Sequence, residues 1–251
     1  FGEMNKAKLL LLSAALIGSL TIPLQGTSLV NATSSELIDS AKGSETFRVY
    51  VESNNKSTKN NIKNQYQVRW ELTENGFSTN MNQNQYEALQ KNKNITVTKI
   101  DKVTLDADVR SSEFETMAGE YPTEQTPWGI KAIYNNSSLT ATSGGAGINI
   151  AVLDTVNINH YDLTNTVEQC KNFTAATPIV NNSCNDANGR GTHVAGTALA
   201  DGGSDGAGIY GVAPSADLWA YKVLGDDGSG YSDDIAAAIR HAADQAVSTG
   251  T

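Results

Sequence analysis

The alternation of apolar and polar residues indicates two differently built sheets in this chain. In residues 47–52 every second position is apolar, which is typical of a strand buried on one face. Residues 148–153 instead form a nearly continuous apolar run that ends at Asp154. Such a run is typical of a parallel strand covered on both faces. We therefore predict an α/β chain with a half-exposed sheet first and a fully covered sheet second.

The first half of the chain carries the pattern of a small α+β unit. The predicted strands cover residues 47–52, 68–72, 76–79 and 95–100, and the predicted helices cover residues 56–66 and 82–94. Asn75 and Gly76 form a strong hairpin signal between the second and third strands. The resulting order, β-α-β-β-α-β, predicts a ferredoxin-like unit.

The second half is predicted to alternate strands and helices. A buried strand over residues 217–224 leads to a helix that begins near Ser232 with acidic residues in its first turn. The inward stripe of this helix is predicted to comprise Ile235, Ala238, Ile239, Ala242 and Ala246. His241 lies off the stripe, so we expect it to be a solvated surface residue.

Charge is unevenly distributed between the two halves. The formal net charge is −9. Residues 119–251 carry 14 acidic and 5 basic residues, whereas residues 1–118 carry 13 of each, so the negative balance belongs to the second half. This distribution argues against nucleic-acid binding, which requires clustered Lys and Arg. A net-negative surface suits a soluble secreted protein.

The beginning of the chain has the pattern of an export signal. Lys6 and Lys8 precede an apolar run over residues 9–22, and Ala32 is a small residue that a signal peptidase accepts. The apolar run is shorter than the roughly 20 residues that a spanning helix needs. We therefore predict a signal peptide in residues 1–32, with extra residues before Met4, and a secreted protein without a membrane anchor.

The chain contains two cysteines, Cys170 and Cys184. In an exported protein we expect them to form a disulfide, and two unpaired thiols are the alternative. The bridge would close a loop of roughly 15 residues and add about 3 kcal/mol of stability, if it acts through chain entropy. No cysteine or histidine spacing in the sequence indicates a zinc site.

Two short motifs in the second half carry candidate chemistry. Residues 188–196 read N-G-R-G-T-H-V-A-G, and the run before them ends in A-V-L-D-T at residues 151–155. The first is similar to the His motif G-H-G-T-H-V-A-G of the subtilases, the subtilisin-like serine proteases, and the second resembles their Asp motif, A-V-x-D-S/T-G. The resemblance implies that residues 119–251 form the first half of a subtilisin-like, doubly wound parallel-sheet domain. It also implies that Asp154 orients the catalytic histidine.

Arg190 departs from the family pattern, because it occupies the position of that histidine. A guanidinium is always protonated and offers no lone pair, so it cannot act as a general base. His193 lies about one helical turn further on, and we favour a packed structural histidine there over a substitute base. We expect Arg190 to form an ion pair with Asp154 in an inactive centre.

Two other departures concern the turn and the nucleophile. Val156 stands where the family has glycine, so we expect an altered turn after Thr155. The family's G-T-S-M-A segment, which carries the catalytic serine, does not occur in these residues. The resemblance therefore implies a serine endopeptidase that is catalytically incomplete as written.

The position of the first unit, between a signal peptide and the subtilase-like half, resembles that of the family's propeptide. The resemblance implies that residues 33–118, with a core over residues 47–105, assist folding and then occupy the substrate cleft until they are cut off. We expect the cut near residues 117–121. The alternative function is a non-catalytic inhibitor or folding helper that acts on other subtilases.

The segment Gly228, Ser229, Gly230 and Tyr231 matches the family segment that lines the substrate groove. There, a polypeptide substrate adds its strand to the edge of the enzyme. We also expect residues 119–251 to be poorly stable alone, because part of a sheet leaves an open edge and an uncovered apolar face.

The loop of residues 199–214 is rich in Asp and Gly and matches the place where subtilases bind a structural calcium ion. Calcium takes six to eight oxygen ligands, which carboxylates and backbone carbonyls supply. The candidate ligands are Asp162, Asp201 and Asp205. A flexible loop without an ion is the alternative, since Asp-Gly runs are also ordinary turn sequences.

Overall fold

The computed structural model describes residues 45–105, 122–156, 158–176 and 178–249. The predicted signal peptide and the predicted cut near residues 117–121 lie outside these ranges.

Residues 46–99, here called the N-terminal unit, form a four-stranded antiparallel sheet with two helices. Its strands are β1 (Thr46–Glu52), β2 (Val68–Thr73), β3 (Gly76–Asn82) and β4 (Thr96–Lys99), and its helices are α1 (Lys56–Lys63) and α2 (Gln83–Gln90). The strand order is β2-β3-β1-β4. The predicted element order is therefore present, with both helices ending earlier than the sequence pattern indicated.

One face of this sheet packs against the two helices. Val49, Val51, Phe77 and Met81 are buried there together with Ile62 of α1. Asn55 caps α1 by accepting a hydrogen bond from the Thr58 amide, and α2 begins with a capping box. These caps satisfy amides that a helix start otherwise leaves unpaired.

Residues 122–249, here called the C-terminal half, contain a second four-stranded sheet of order β6-β9-β7-β8. Its strands are β6 (Asn149–Asp154), β7 (Val167–Asn172), β8 (Val180–Asn181) and β9 (Asp217–Lys222). Its helices are α3 (Trp128–Ile133), α4 (Arg190–Leu199) and α5 (Ser232–Thr249), with a short 3-10 helix at Tyr161–Leu163. Strands β6 and β7 run parallel to β9, and β8 is antiparallel to β7.

Strand β9 explains why this sheet needs helices on both faces. Leu218 and Ala220 belong to the apolar cluster that includes Leu199 of α4. Trp219 and Tyr221 point the other way, into the cluster that contains the alanines of α5. Since successive side chains alternate between the faces of a strand, a run without polar residues requires two covers. The fold of this half is accordingly a mixed α/β layer structure.

The edge of this sheet formed by β6 is open. Within the described residues β6 pairs with β9 and with no other strand. On helix α3, the apolar side chains of Trp128 and Ile133 are 82% and 65% exposed. These features agree with the expectation of an unprotected edge, and the low stability of this half remains a prediction.

Two short strands join the halves, and the sequence analysis missed the first of them. Strand β5 (Lys102–Thr104) pairs antiparallel with β10 (Ser229–Tyr231). The N-terminal unit thus continues directly into an edge of the C-terminal half.

The predicted disulfide between Cys170 and Cys184 is confirmed. The bond joins β7 to the segment that precedes α4, with the two Cα atoms 5.9 Å apart. Both residues belong to the buried apolar cluster beneath α4.

Three predictions for apolar and histidine positions were wrong. Ile239 is 56% exposed, and Ala237 is buried in its place, because α5 is rotated relative to the predicted stripe. Ile148 is 56% exposed, because it precedes β6 rather than belonging to it. His241 is half-buried, with its ring 5.5 Å from that of Tyr221 and 5.8 Å from that of Phe173, so it is not a solvated residue. Burial and the charge of Lys171 lower the pKa of His241.

Candidate active site

Asp154 and Arg190 meet where β6 ends and α4 begins. Asp154 ends β6, and its Oδ2 atom accepts a hydrogen bond of 2.8 Å from Nη1 of Arg190, the first residue of α4. Its Oδ1 atom accepts a hydrogen bond of 2.8 Å from the Thr155 amide. The expected ion pair is therefore present. Asp154 has no side-chain nitrogen, and the protonated guanidinium of Arg190 has no free lone pair. The pair therefore has no group that can take a proton from a nucleophile as an imidazole does.

Glycines let α4 start this close to the strand. Gly189 adopts a φ of +88°, which favours glycine, and directs the chain into the helix. Gly191 touches the end of β6, since a Cβ atom there would lie 2.4 Å from the Val156 nitrogen. The Gly191 amide donates to Oγ1 of Thr155 over 2.9 Å. Val156 does not adopt a positive φ, and its side chain is fully buried in the core.

Asp186 organises the helix start, and the sequence analysis did not identify it. Its Oδ1 atom accepts from the amides of Gly189 (2.7 Å) and Asn188 (3.0 Å), and its Oδ2 atom accepts from the amide (3.0 Å) and hydroxyl (2.6 Å) of Thr192. Although burial acts to raise the pKa of Asp186, these hydrogen bonds hold it below its ordinary value. The signal in the sequence was an Asp a few residues before an Asn-Gly pair and a helix.

His193 lies on the exposed side of α4, contrary to the packed position that we expected. It lines a cavity of about 1020 Å³ whose wall also includes Trp128, Ile133 and Gly196. The packed interpretation assumed that this face of the helix is covered. In the described part of the chain it is not.

The predicted groove segment forms β10, and a strand of the same chain lies against it. Ser229 pairs with Thr104 and Gly230 with Val103. The Leu105 amide donates to the carbonyl oxygen of Gly228 over 2.9 Å. A side chain at position 230 would come within 2.2 Å of the Val223 carbonyl oxygen, so the groove edge requires glycine there. This edge forms strand hydrogen bonds with an extended backbone, here that of residues 102–105.

The residue that follows β5, Leu105, and the loop that leads into α4 both lie beside Gly228. A Cβ atom on Gly228 would lie 3.2 Å from Nδ2 of the Asn188 side chain and 3.4 Å from a side-chain carbon of Leu105. Asn188 precedes Arg190 by two positions. The edge formed by β10 and the start of α4 are therefore neighbours.

The three candidate calcium ligands are near one another but do not form a single ligand set. Within the described residues no group of three or more His, Cys, Asp or Glu side chains is arranged to hold a metal ion. Asp201 accepts a hydrogen bond from the Gly203 amide, and Asp205 accepts one from the Tyr161 hydroxyl.

Asp162 has the one feature that fits a cation. Its Oδ1 atom is buried and has no hydrogen-bond partner in the described structure. Burial, with smaller contributions from the charges of Asp201 and Asp205, raises the pKa of Asp162. The carbonyl oxygens of Gly206 and Gly208 converge nearby on the side chain of Gln125. A carboxylate and backbone carbonyls are oxygen ligands that suit calcium.

Comparison with known proteins agrees with the geometry. Residues 145–248 match the Subtilase family. The whole chain is similar to a subtilisin of Bacillus sp. (strain TA39), with 55% identity over 251 residues, which are 99% of this chain and 58% of that protein.

Two solved structures are similar to parts of the chain. Sphericase is 78% identical with a TM-score of 0.50, over 51% of this chain and 42% of that chain. The epidermin leader peptide processing serine protease of Staphylococcus aureus is 25% identical with a TM-score of 0.58, over 80% of this chain and 49% of that chain. The chain thus spans at most 58% of the length of these relatives.

The described residues were also searched for membrane-spanning segments. None of their helices combines the length and the apolar character that crossing a bilayer requires.

Proposed function

We propose that this chain is the N-terminal part of a secreted subtilase precursor whose complete form is a serine endopeptidase acting on polypeptides. The observation that carries the proposal is the meeting of Asp154 with the glycine-flanked start of α4, within a segment that matches the Subtilase family. The predicted export signal supports secretion, and so does the disulfide, since such bonds persist in oxidising compartments.

In the proposed enzyme, the Asp154 carboxylate would hold an imidazole at position 190 in the orientation needed to take a proton from serine. With Arg190 in that position, the carboxylate is already neutralised by a cation that has no lone pair. The chain as written therefore has the framework of the centre without its base.

The test replaces Arg190 in a chain completed with the remaining part of the similar Bacillus subtilisin. We expect Arg190→His to hydrolyse a peptide substrate about 10⁴-fold faster than the Arg190 form, in line with the loss on removing a triad member. Arg190→Gln, which also lacks a base, is the matched control and should stay inactive. Equal activity of the Arg190 and His forms would contradict the assignment of position 190, and inactivity of both would point to the turn at Val156.

We further propose that residues 33–118, with a core over residues 47–105, act as a propeptide that occupies the substrate groove. The pairing of β5 with β10 supports this role, because a segment of the chain itself lies where a substrate strand would add. The similarity to the Staphylococcus protease also supports it. That similarity extends over 80% of the chain, and residues 122–249 make up only about half of it.

The same pairing favours a second candidate function, in which the N-terminal unit inhibits or helps to fold other subtilases. A peptide of residues 46–105, added to an active subtilisin at micromolar concentration, should slow peptide hydrolysis. A matched peptide with Val103→Pro should inhibit less, since proline disrupts an added strand. Absence of inhibition by the unaltered peptide would remove this candidate.

For calcium, we propose a structural site that uses Asp162, with Asp201 and Asp205 contributing charge nearby. Bound calcium would neutralise the buried carboxylate and tie the loop to it. The melting temperature of the chain should rise with added calcium, and Asp162→Asn should abolish the rise. Asp217→Asn, which removes an exposed carboxylate on β9, is the control and should retain it.

A further inference from the structure

A buried cluster of charged side chains joins the N-terminal unit to the start of α5. Arg48 donates from Nη1 to Asp233 Oδ2 over 2.9 Å and to Asp234 Oδ1 over 3.3 Å. Arg69 donates from Nε to the same Asp234 oxygen over 2.7 Å, and the Trp70 indole donates to it over 2.6 Å. One carboxylate oxygen of α5 thus accepts from three groups of the N-terminal unit.

The cluster is almost fully shielded from water. The side chains of Arg48 and Arg69 are 8% and 7% exposed, and those of Asp233 and Asp234 are 1% and 2% exposed. Buried charges are costly unless every one is paired and hydrogen-bonded. The strength of this contact therefore depends on how completely its donors and acceptors match.

Both guanidinium groups make further contacts. Arg69 donates to the carbonyl oxygens of Phe173 (2.5 Å) and Ala175 (2.7 Å). Arg48 donates from Nε to Asn80 Oδ1 over 3.0 Å, and its guanidinium carbon lies 4.5 Å from the centre of the Tyr231 ring. The arginines are held in fixed positions, so they can distinguish what stands opposite them.

The donors of the N-terminal unit need this contact more than the acids of α5 do. Asp233 and Asp234 lie in the first turn of α5, where the helix dipole stabilises negative charge even without a partner. Arg48, Arg69 and the Trp70 indole, in contrast, would bury unmatched donors if a neutral apolar side chain stood at position 234. Leaving such donors unmatched is an effective way to reject a wrong partner.

We propose that Asp233 and Asp234 are the recognition element by which a subtilase domain selects this N-terminal unit. The partner that the unit fits is a subtilase domain with an acidic pair in the first turn of the helix that follows the groove strand. The pairing of β5 with β10 uses backbone atoms and tolerates many sequences, so the acidic pair supplies the selectivity. This inference rests on the proposed role of the unit as a releasable propeptide.

The test uses the full chain with a specific protease site inserted within residues 107–116. The chain is folded first and cut afterwards, and the release rate of the N-terminal fragment is measured by size-exclusion chromatography after dilution. Asp234→Asn should release the fragment about 30-fold faster or more, the lower end for truncating one partner of a buried interfacial charge pair. Asp244→Asn, an exposed position on the same helix, should release it at the wild-type rate.

A double-mutant cycle examines the contact from both sides. Arg48→Met and Asp233→Asn should each accelerate release of the fragment. The double variant should release it more slowly than the product of the two single accelerations predicts, because both substitutions remove the same contact. If Asp234→Asn prevents folding, the release rate is measured for Arg69→Met instead, which removes the partner of Asp234 on the N-terminal unit.

The outcomes separate this inference from the proposed function. If the fragment stays bound and Asp234→Asn changes its release by less than about threefold, selection by the acidic pair is wrong and the propeptide role stands. If the wild-type fragment leaves as soon as it is cut, the propeptide role itself fails, and the inference fails with it. The inference is supported if the wild type stays bound, Asp234→Asn releases faster and Asp244→Asn does not.

Discussion

The two long helices of the C-terminal half both begin beside an arginine and an aspartate, but in opposite arrangements. At α5 the acids belong to the helix, in Asp233 and Asp234, and the arginines come from another unit. At α4 the cation, Arg190, is the first residue of the helix, and the acid comes from β6. The helix dipole favours the first arrangement and opposes the second.

This difference indicates that the charges at the start of α5 stabilise the helix, whereas those at the start of α4 position a side chain. A cation at the amino end of α4 is offset by Asp186, which accepts the amides that the helix leaves unpaired. Places where a local rule is broken and then compensated are typical of functional sites. The start of α4 therefore holds Arg190 beside Asp154.

Gly191→Ala should break the α4 arrangement most severely. Its Cβ atom would lie 2.4 Å from the Val156 nitrogen and 2.7 Å from the Thr155 nitrogen, both backbone atoms that cannot swing away. We expect the free energy of unfolding in urea to fall by about 3 kcal/mol, at the upper end of overpacking costs. Gly196→Ala on the same helix meets no atom within 4 Å and should instead stabilise by about 0.5–1 kcal/mol. Similar losses for both would show that helix packing does not depend on this contact.

Asp186→Asn should have the next largest effect, about 2 kcal/mol near neutral pH, because it weakens several charge-assisted hydrogen bonds. The folded pKa of Asp186 lies below the ordinary value of 3.8. Its contribution is therefore complete above that value and is lost as the pH falls through the folded pKa. Urea unfolding between pH 7 and pH 3 checks this, with the exposed Asp217→Asn as control. A variant that keeps the wild-type pH dependence would exclude Asp186 as its source.

Arg190→Met should cost least, about 1 kcal/mol or less. The Arg190 side chain is 41% exposed, and the buried Asp154 carboxylate keeps its hydrogen bond from the Thr155 amide without it. Removing a cation from the helix start also relieves an unfavourable interaction with the dipole. Arg48→Met is the matched comparison, and it should destabilise the chain more, since it leaves buried carboxylates with fewer partners. If the two variants lost equal stability in urea unfolding, burial would not be what distinguishes the two sites.

Short motifs and local patterns in the sequence were sufficient to predict the ion pair and the order of the main elements. Asp154 and Arg190 were identified because each lies in a short motif that resembles one of the subtilases, Asp154 at the end of an apolar run and Arg190 between two glycines. Strand β5 was missed because it has three residues, all of them exposed, and only one, Val103, is strongly apolar. Its pairing with β10 depends on residues that lie far away in the sequence, and no local periodicity reports such a partner.

The histidines show the same limit. The burial of His193 and His241 was predicted from their positions along a helix. Both predictions were wrong, because burial depends on what covers each helix face. The apolar cluster around Phe173 partly buries His241, and in the described residues nothing covers His193. Which face of a helix is covered is a property of the whole fold, so a single helix cannot specify it.

The chain has three tryptophans in three different surroundings. Trp70 contacts Asp234 and the Phe173 ring across the boundary between the halves, whereas Trp219 is buried and Trp128 is exposed. With the other two replaced by phenylalanine, the emission of Trp70 would report separation of the halves in real time, without an attached dye. The boundary thus contains its own optical probe.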